Sequence, residues 1–250
     1  MIRSILQQTA LRRWSREADR AGNAPLNELH ASARQARDLR HHLNEVIAKA
    51  ETRLALPAIG SNAFQKPRSA DWAWRPPLWR VPLSKVGIVA MENRTAVGKG
   101  AAIFHDCRES ELTLRQIRNT REKDIAPFGM RLDVFRFDGS FLSLVLDLPD
   151  DAITGLKKRH LLRMNTIVET EKPIEIFARL NLRHGPNTEQ IVRELPLAQE
   201  DVWVEFDLAY SNINERRVER MWIDLIFEGP AMNQVILRDV TLSRSPRAEL

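Results

Sequence analysis

The sequence predicts a mainly β protein, an antiparallel β-sandwich with an N-terminal α-helical arm, on three observations. Across residues 130 to 242, apolar and polar residues alternate with a period of two in one short segment after another. In VWVEFDLA, Val202, Val204, Phe206 and Leu208 point one way while Trp203, Glu205 and Asp207 point the other. These segments are separated by short Gly, Pro, Asp or Asn breakers with no helix-length stretch between them, which suits an antiparallel sandwich better than a parallel sheet. Residues 1 to 56 follow a helical period instead. The expected organisation is a helical arm over 1–56, an ordered clasp rich in Pro and Trp over 57–83, and the sandwich over 84–250.

In the arm, Ile5, Leu6, Thr9, Arg13 and Trp14 predict a short helix that Gly22, Asn23 and Pro25 end. A longer helix is expected from about Pro25 to Leu54. Leu29, Ala36, Leu43 and Ala50 recur every seven residues, with Ala33, Ile47 and Leu54 on an adjoining row. Such a stripe needs a partner, and Leu29, Ala36, Leu43, Ile47 and Leu54 are the candidate interface residues, against the domain's own sandwich or against another subunit. Ala outweighs Ile and Leu along it, so a free-standing coiled coil would be weak.

The clasp holds Pro57, Pro67, Pro76, Pro77 and Pro82, which forbid a regular helix or an inner strand. It also holds Phe64, Trp72, Trp74 and Trp79, rings in which flexible linkers are depleted. It is expected to lie extended over the sandwich with its tryptophans filling the gap between helices and sheet; a carbohydrate platform of the three indoles is the rival reading. Next come an early strand in SKVGIVAME (84–92) and a connection or short helix in 109–124. The strands expected after them are 130–137, 141–148, 161–169, 174–182, 190–195, the VWVEFDLA run, 221–228 and 235–243.

The 250 residues carry a formal charge of +5, compatible with attraction to nucleic acid, anionic lipid or acidic polysaccharide, and equally with mere solubility. Basic residues are dispersed among acids, and no reading element for nucleic acid is present. A single cysteine, Cys107, excludes an internal disulfide and an all-cysteine metal site. No stretch has the length of a membrane span or the apolar core of a signal peptide, so synthesis in the cytoplasm is expected. Gly98 to Gly100 lacks the spacing of a phosphate loop, and the histidines lack HExxH spacing. His105, Asp106 and Cys107 are adjacent, but neighbours in a strand point to opposite faces. No metal, cofactor or catalytic residue is therefore expected. The run GLKKRHLLR reads as a basic turn entering a strand, where a phosphate or sulfate contact is conceivable.

The chemistry lies on the polar sides of the strands. Trp203, Glu205 and Asp207 share one face, Trp222, Asp224 and Glu228 another, and Phe177, Arg179 and Asn181 a third. If these strands neighbour one another, rings and charged groups alternate over one broad surface. Sugar recognition wants that mixture: a ring stacks on a pyranose while carboxylate, amide and guanidinium groups take its hydroxyls. Two carboxylates among Glu205, Asp207 and Asp224 would instead hydrolyse a glycosidic bond if they stood about 5–9 Å apart with one pKa raised. The competing structural reading packs this face under the arm.

Two stretches carry a resemblance. MWIDLIFEGPAMNQVILRDVTLSRSPRAEL resembles the closing strands of jelly-roll modules related to carbohydrate-binding domains, which makes the expected sandwich jelly-roll-like over about the last 120 residues. ADWAWRPPLWRVPL, followed by the sandwich, resembles a bacterial family of this arrangement and is similar to base proteins of head spikes on phage-like gene-transfer particles. The resemblance implies a non-catalytic attachment or binding module on a particle surface, with capsid or fibre proteins as partners and acidic or capsular polysaccharide as a possible ligand. A glycan-active enzyme is the first alternative and a basic nucleic-acid-associated protein the second.

Overall fold

The computed structural model describes residues 2–54, 64–109 and 111–247, without the side chains of residues 2–7, 48–49 and 51–54. The chain divides into two compact units, Met1–Ile47 and Ala48–Leu250. In the first, helix α1 (Ile2–Arg20) is longer than its sequence pattern suggests and leads through a turn into α2 (Leu26–Leu54). The Ser32 hydroxyl donates to the Glu17 carboxylate across the turn, and Trp14, Leu29, Ala33 and Ala36 are half-buried. Further along α2, Leu39, Leu43, Val46 and Ile47 lie between 38% and 64% exposed. The expected stripe thus splits into a half-covered part and an open part. The side chain of Leu54 and residues 57–63 of the expected clasp fall outside the described residues.

The second unit is the sandwich. Its elements are β1 (Trp72–Trp74), α3 (Pro77–Arg80), β2 (Gly87–Val89), β3 (Thr95–Ala96), β4 (Ala101–His105), β5 (Leu112–Arg118), β6 (Phe128–Val134), β7 (Leu142–Asp147), β8 (His160–Thr170), β9 (Glu175–His184), β10 (Asn187–Glu194), β11 (Asp201–Asp207), β12 (Val218–Glu228) and β13 (Asn233–Pro246). One antiparallel sheet runs β11-β8-β13-β6-β5-β2, with β1 also paired to β13; the other runs β10-β9-β12-β7-β4-β3. From β6 onward the chain crosses between the sheets at every connection but the β9–β10 hairpin, and this gives the jelly-roll-like arrangement. Alternation does the rest: Ile176, Ala178, Leu180 and Leu182 of β9 and Met221, Ile223, Leu225 and Phe227 of β12 turn inward against Val202, Val204 and Phe206 of β11 and their neighbours in one continuous core.

The clasp departs from expectation. It supplies β1, whose partners are Leu242 to Arg244, and the short helix α3, begun by Pro77 at a position where a missing N–H costs nothing. Trp72 and Trp79 enter the core cluster, and Trp74 packs against it. Residues 112–118 also differ, forming β5 rather than a connection or helix. Leu112 and Leu114 turn inward as alternation requires, but Gln116 shares their face and hides the pattern. Its amide holds the clasp: Nε2 donates to the carbonyls of Leu78 and Val81 at 2.8 and 2.9 Å, and Oε1 accepts from Leu83 N at 2.8 Å.

A bulge in β13 between Leu237 and Asp239 lets the strand pass from β6 to β1. Its carbonyls find side-chain donors: Trp79 Nε1 to Leu237 O at 2.9 Å, Asn119 Nδ2 to Arg238 O at 2.8 Å, and Thr166 Oγ1 to Asp239 O at 2.9 Å. The Asp239 carboxylate accepts from Arg75 Nε at 2.9 Å and Nη2 at 2.8 Å, a two-bond pair closed off from water. Burial pushes the Asp239 carboxyl up from its ordinary value while Arg75 pulls it down. Asp239→Ala removes the buried carboxylate that takes two Arg75 hydrogen bonds, so a loss of about 3–5 kcal/mol is expected in urea denaturation. A loss under about 1 kcal/mol would show that Arg75 finds water.

His160, buried at the start of β8, accepts from Lys157 N through Nδ1 at 3.0 Å. Burial lowers its pKa, with Asp71 opposing and Arg244 reinforcing the shift. Folding therefore favours the neutral ring; this contribution is complete above the ordinary histidine value of about 6.5 and is lost as pH falls through the lower folded value. Denaturation free energies measured from pH 7 down to pH 5 are expected to fall more steeply for the wild type than for His160→Gln; parallel curves would refute this.

Candidate functional site

The outer face of the β10-β9-β12-β7-β4 sheet gathers the predicted groups from β9 and β12. Register places Arg179 opposite Asp224, Asn181 opposite Trp222 and Phe177 opposite Ile226. On the far side of β12, Asp147 stands opposite Trp222 and Val145 opposite Asp224. Asp224 is the centre. Its Oδ2 accepts from Arg179 Nη2 at 2.7 Å and Nε at 2.8 Å, and from Asn181 Nδ2 at 3.1 Å. Among the described residues its Oδ1 accepts no hydrogen bond. Gln190 of β10 extends the chain of contacts by donating to Asn181 Oδ1 at 2.9 Å. Beside this network Trp222 is half-buried beneath the Arg220 guanidinium, 5.0 Å from its centroid, and Arg220 is itself anchored to Asp147. Val145 and Ala102 are half-exposed in the neighbouring strands, with Phe104 and Phe177 flanking them.

The remaining predicted residues lie on the opposite side of the sandwich. Trp203, Glu205 and Asp207 face outward from β11, at the edge of the other sheet. Trp203 is 49% exposed, and Glu205 and Asp207 are half-buried. Arg163 of β8 lies 4.2 Å over its ring and is held there by Glu205 Oε1, at 2.9 Å from Nε and 2.8 Å from Nη2. Asp207 accepts from Ala209 N at 2.9 Å and pairs with Arg247 at 3.4 Å. The expected single surface is therefore two. The three carboxylates named for hydrolysis are divided, with Asp224 on one face and Glu205 and Asp207 on the other, each of them engaged.

The His105, Asp106 and Cys107 trio is built into its loop. Asp106 accepts from the backbone N–H of Ser140 and Phe141, and the Cys107 thiol donates to Asp138 at 2.8 Å. Burial, then the bond to Asp138, holds the thiol above its ordinary pKa, the wrong direction for a nucleophile. Among the described residues no group of three His, Cys, Asp or Glu is placed to hold a metal, and no helix is long and apolar enough to cross a membrane.

A family profile matches residues 1–250, and the family is described as one of unknown function. The chain belongs to DUF6478. Comparison of this DUF6478 chain with curated proteins finds no match. Among solved structures it is similar to a family 11 carbohydrate-binding module from Clostridium thermocellum, in complex with a β-1,3-1,4-mixed-linked tetrasaccharide, at 12% identity and a TM-score of 0.41 over 66% of this chain and 100% of that one. The C-terminal family 22 carbohydrate-binding module of Xyn10B from Clostridium thermocellum gives 8% identity and a TM-score of 0.37, covering 75% and 99%. The enzymatically active domain of tailspike protein 4 of bacteriophage CBA120 gives 8% and 0.42; 60% of this chain matches only 21% of that one. With scores of this size, the functional argument rests on the side chains of the DUF6478 chain itself.

Arg220, Asp147, Gln190 and Arg163 complete the two faces and were not among the predicted residues. Arg220 stands two positions before Trp222, so the period of the strand already placed it beside the ring. Gln190 and Arg163 required knowledge of which strands pair. Trp203→Ala removes an exposed ring and is expected to change thermal stability by less than about 1 kcal/mol, whereas Trp79→Ala, which empties the core, is expected to cost about 3–5 kcal/mol. Equal losses in calorimetric melting would contradict the assignment of the two rings.

Proposed function

We propose that this protein is a non-catalytic polysaccharide-binding module that works through the outer face of the β10-β9-β12-β7-β4 sheet. The observation that supports it most is Asp224. Its side chain, only 4% exposed, is held by Arg179 and Asn181 through one oxygen, and this fixes the half-exposed Arg179 and the Gln190 amide beyond Asn181 as groups a ligand hydroxyl can meet. The residues around it offer what a pyranose needs. Trp222 supplies the ring, while Arg179 and Gln190 supply donors on one side and Val145 and Ala102 a low floor on the other. A binding role fits better than hydrolysis, since both carboxylates beside Trp222 on this face are ion-paired, Asp224 with Arg179 and Asp147 with Arg220. The face of Trp203, on the edge strand of the other sheet, is the second candidate; an arginine lies over its ring as Arg220 lies over Trp222.

Attachment is the second half of the reading. The open row Leu39, Leu43, Val46 and Ile47 on α2 offers apolar area to another protein subunit. On the reading that the head-spike resemblance brings, that subunit is a capsid or fibre protein of a phage-like particle.

Calorimetric titration with neutral and acidic polysaccharides tests the sugar face. Trp222→Ala is expected to weaken binding about tenfold, or about 1.4 kcal/mol, with Trp203→Ala having little effect. Unchanged affinity in Trp222→Ala would sink the proposal. New reducing ends from incubated polysaccharide, abolished in Asp224→Asn, would replace it with the enzyme reading.

A further inference from the structure

We propose that Lys157, Lys158, Arg159, Arg216, Arg217 and Arg247, at one end of the sandwich, form a subsite for the acidic groups, carboxylate or sulfate ester, of an anionic polysaccharide. The inference rests on the glycan reading of the sheet face and names the class of glycan.

Three segments far apart in sequence meet there. The loop between β7 and β8 brings Lys157 to Arg159, the 3-10 turn Glu215–Arg217 precedes β12, and Arg247 follows β13. They are tied together through backbone groups. Lys158 N donates to the Glu215 carboxylate, Arg247 N donates to Arg159 O at 2.7 Å, and Lys157 N donates to the buried His160 ring at 3.0 Å. The Glu215 carboxylate is thus occupied by a backbone N–H.

Cations without a carboxylate also occur singly elsewhere, Arg193 donating only to backbone carbonyls, but at this end several fall on adjoining segments. Elsewhere Arg121, Arg131, Arg163, Arg179, Arg220 and Arg238 each meet a carboxylate. Within the cluster, among the described residues, only Arg247 does, at 3.4 Å from Asp207. Lys157, Arg159, Arg216, Arg217 and Arg247 are exposed. Exposed cations on adjoining segments give a summed positive field that draws anions over roughly a Debye length, about 8 Å at physiological salt. A ring stands among them: Tyr210 is 80% exposed, with the Arg247 guanidinium 5.4 Å from its centroid. An exposed aromatic ring at the edge of a basic cluster suits an acidic sugar, whose ring stacks while its carboxylate or sulfate takes a cation of the neighbouring segments.

The sheet face argues for a sparsely charged polymer over nucleic acid. β12 begins at this end with Val218, and its outward residues lead through Arg220 and Trp222 to Asp224, past Asp147 and Glu219. A duplex with one charge per about 1.7 Å would set phosphates against those carboxylates. A polysaccharide can lay neutral units beside Asp224 and acidic units at the loops.

Binding by the full chain is measured with polygalacturonate, dextran sulfate, neutral dextran, a mixed-linked β-glucan and a short DNA duplex. Two double variants are compared, Lys157→Ala/Arg159→Ala and Arg216→Ala/Arg217→Ala, each with a melting curve. At least one of the two acidic polysaccharides is expected to bind, at least tenfold more weakly in either variant, with affinity falling as salt rises. The polymer that responds tells carboxylate from sulfate. Any neutral-glycan binding is expected to be unchanged. Equal binding of both acidic polymers by wild type and variants would overturn the proposal, as would tighter binding of the duplex than of either, lost in the variants. Trp222→Ala separates the two readings. If it leaves all glycan binding intact while the loop variants lose the acidic polymers, the sheet-face reading fails and the anionic subsite stands.

Discussion

The bulge in β13 is the constraint on which the rest of the sandwich depends. A regular strand would continue one register along its whole length, but β13 must serve β6 with its first part and β1 with its last. The register shifts there by one residue against β8, and three carbonyls around the bulge accept from side chains. Each carbonyl left bare in the interior would cost about 1–3 kcal/mol, and each is met by a different element: Trp79 from α3, Asn119 after β5 and Thr166 from β8. Gly129 belongs to the same arrangement, since a Cβ there would stand 2.9 Å from Asn119 Oδ1 and 3.2 Å from Leu237 O. The ion pair of Arg75 with Asp239 then fastens the clasp to this point. Clasp, bulge and sheet are one unit.

Alternation made the sandwich legible because most strands have one fully apolar face. Where an inward position is polar the signal fails, and β5 shows why: Gln116 satisfies the clasp backbone from inside the sheet, so its polarity is structural, yet in the sequence it breaks the pattern. The clasp was legible as ordered through its tryptophans, but not as a strand. The pairing that makes Trp72–Trp74 a strand lies about 170 residues away in Leu242–Arg244, and no local propensity records it.

The candidate site was legible residue by residue and illegible as an assembly. Period two correctly grouped Trp203 with Glu205, Trp222 with Asp224 and Phe177 with Arg179. Whether the groups share a surface depends on which sheet each strand joins, and β11 joins the sheet opposite β9 and β12. The stripe on α2 shows the same limit. Heptad spacing relates residues on one helix and is silent on what covers them, so Leu29 and Ala36, half-buried, and Leu43 and Ile47, open, follow one pattern with two outcomes.

The place of β13 has a consequence for folding. It follows every other strand of the sandwich in sequence, yet it lies in the middle of its sheet, between β8 on one side and β6 and β1 on the other. Without it, β11-β8 and β6-β5-β2 would be separate ribbons with bare edges, and the clasp would keep its hold on Gln116 but lose its strand partner. Such long-range closure is slow, and the waiting edges invite pairing with other chains. A chain cut short of residue 246 would lack the strand that joins the two ribbons and is not a smaller working version of the fold.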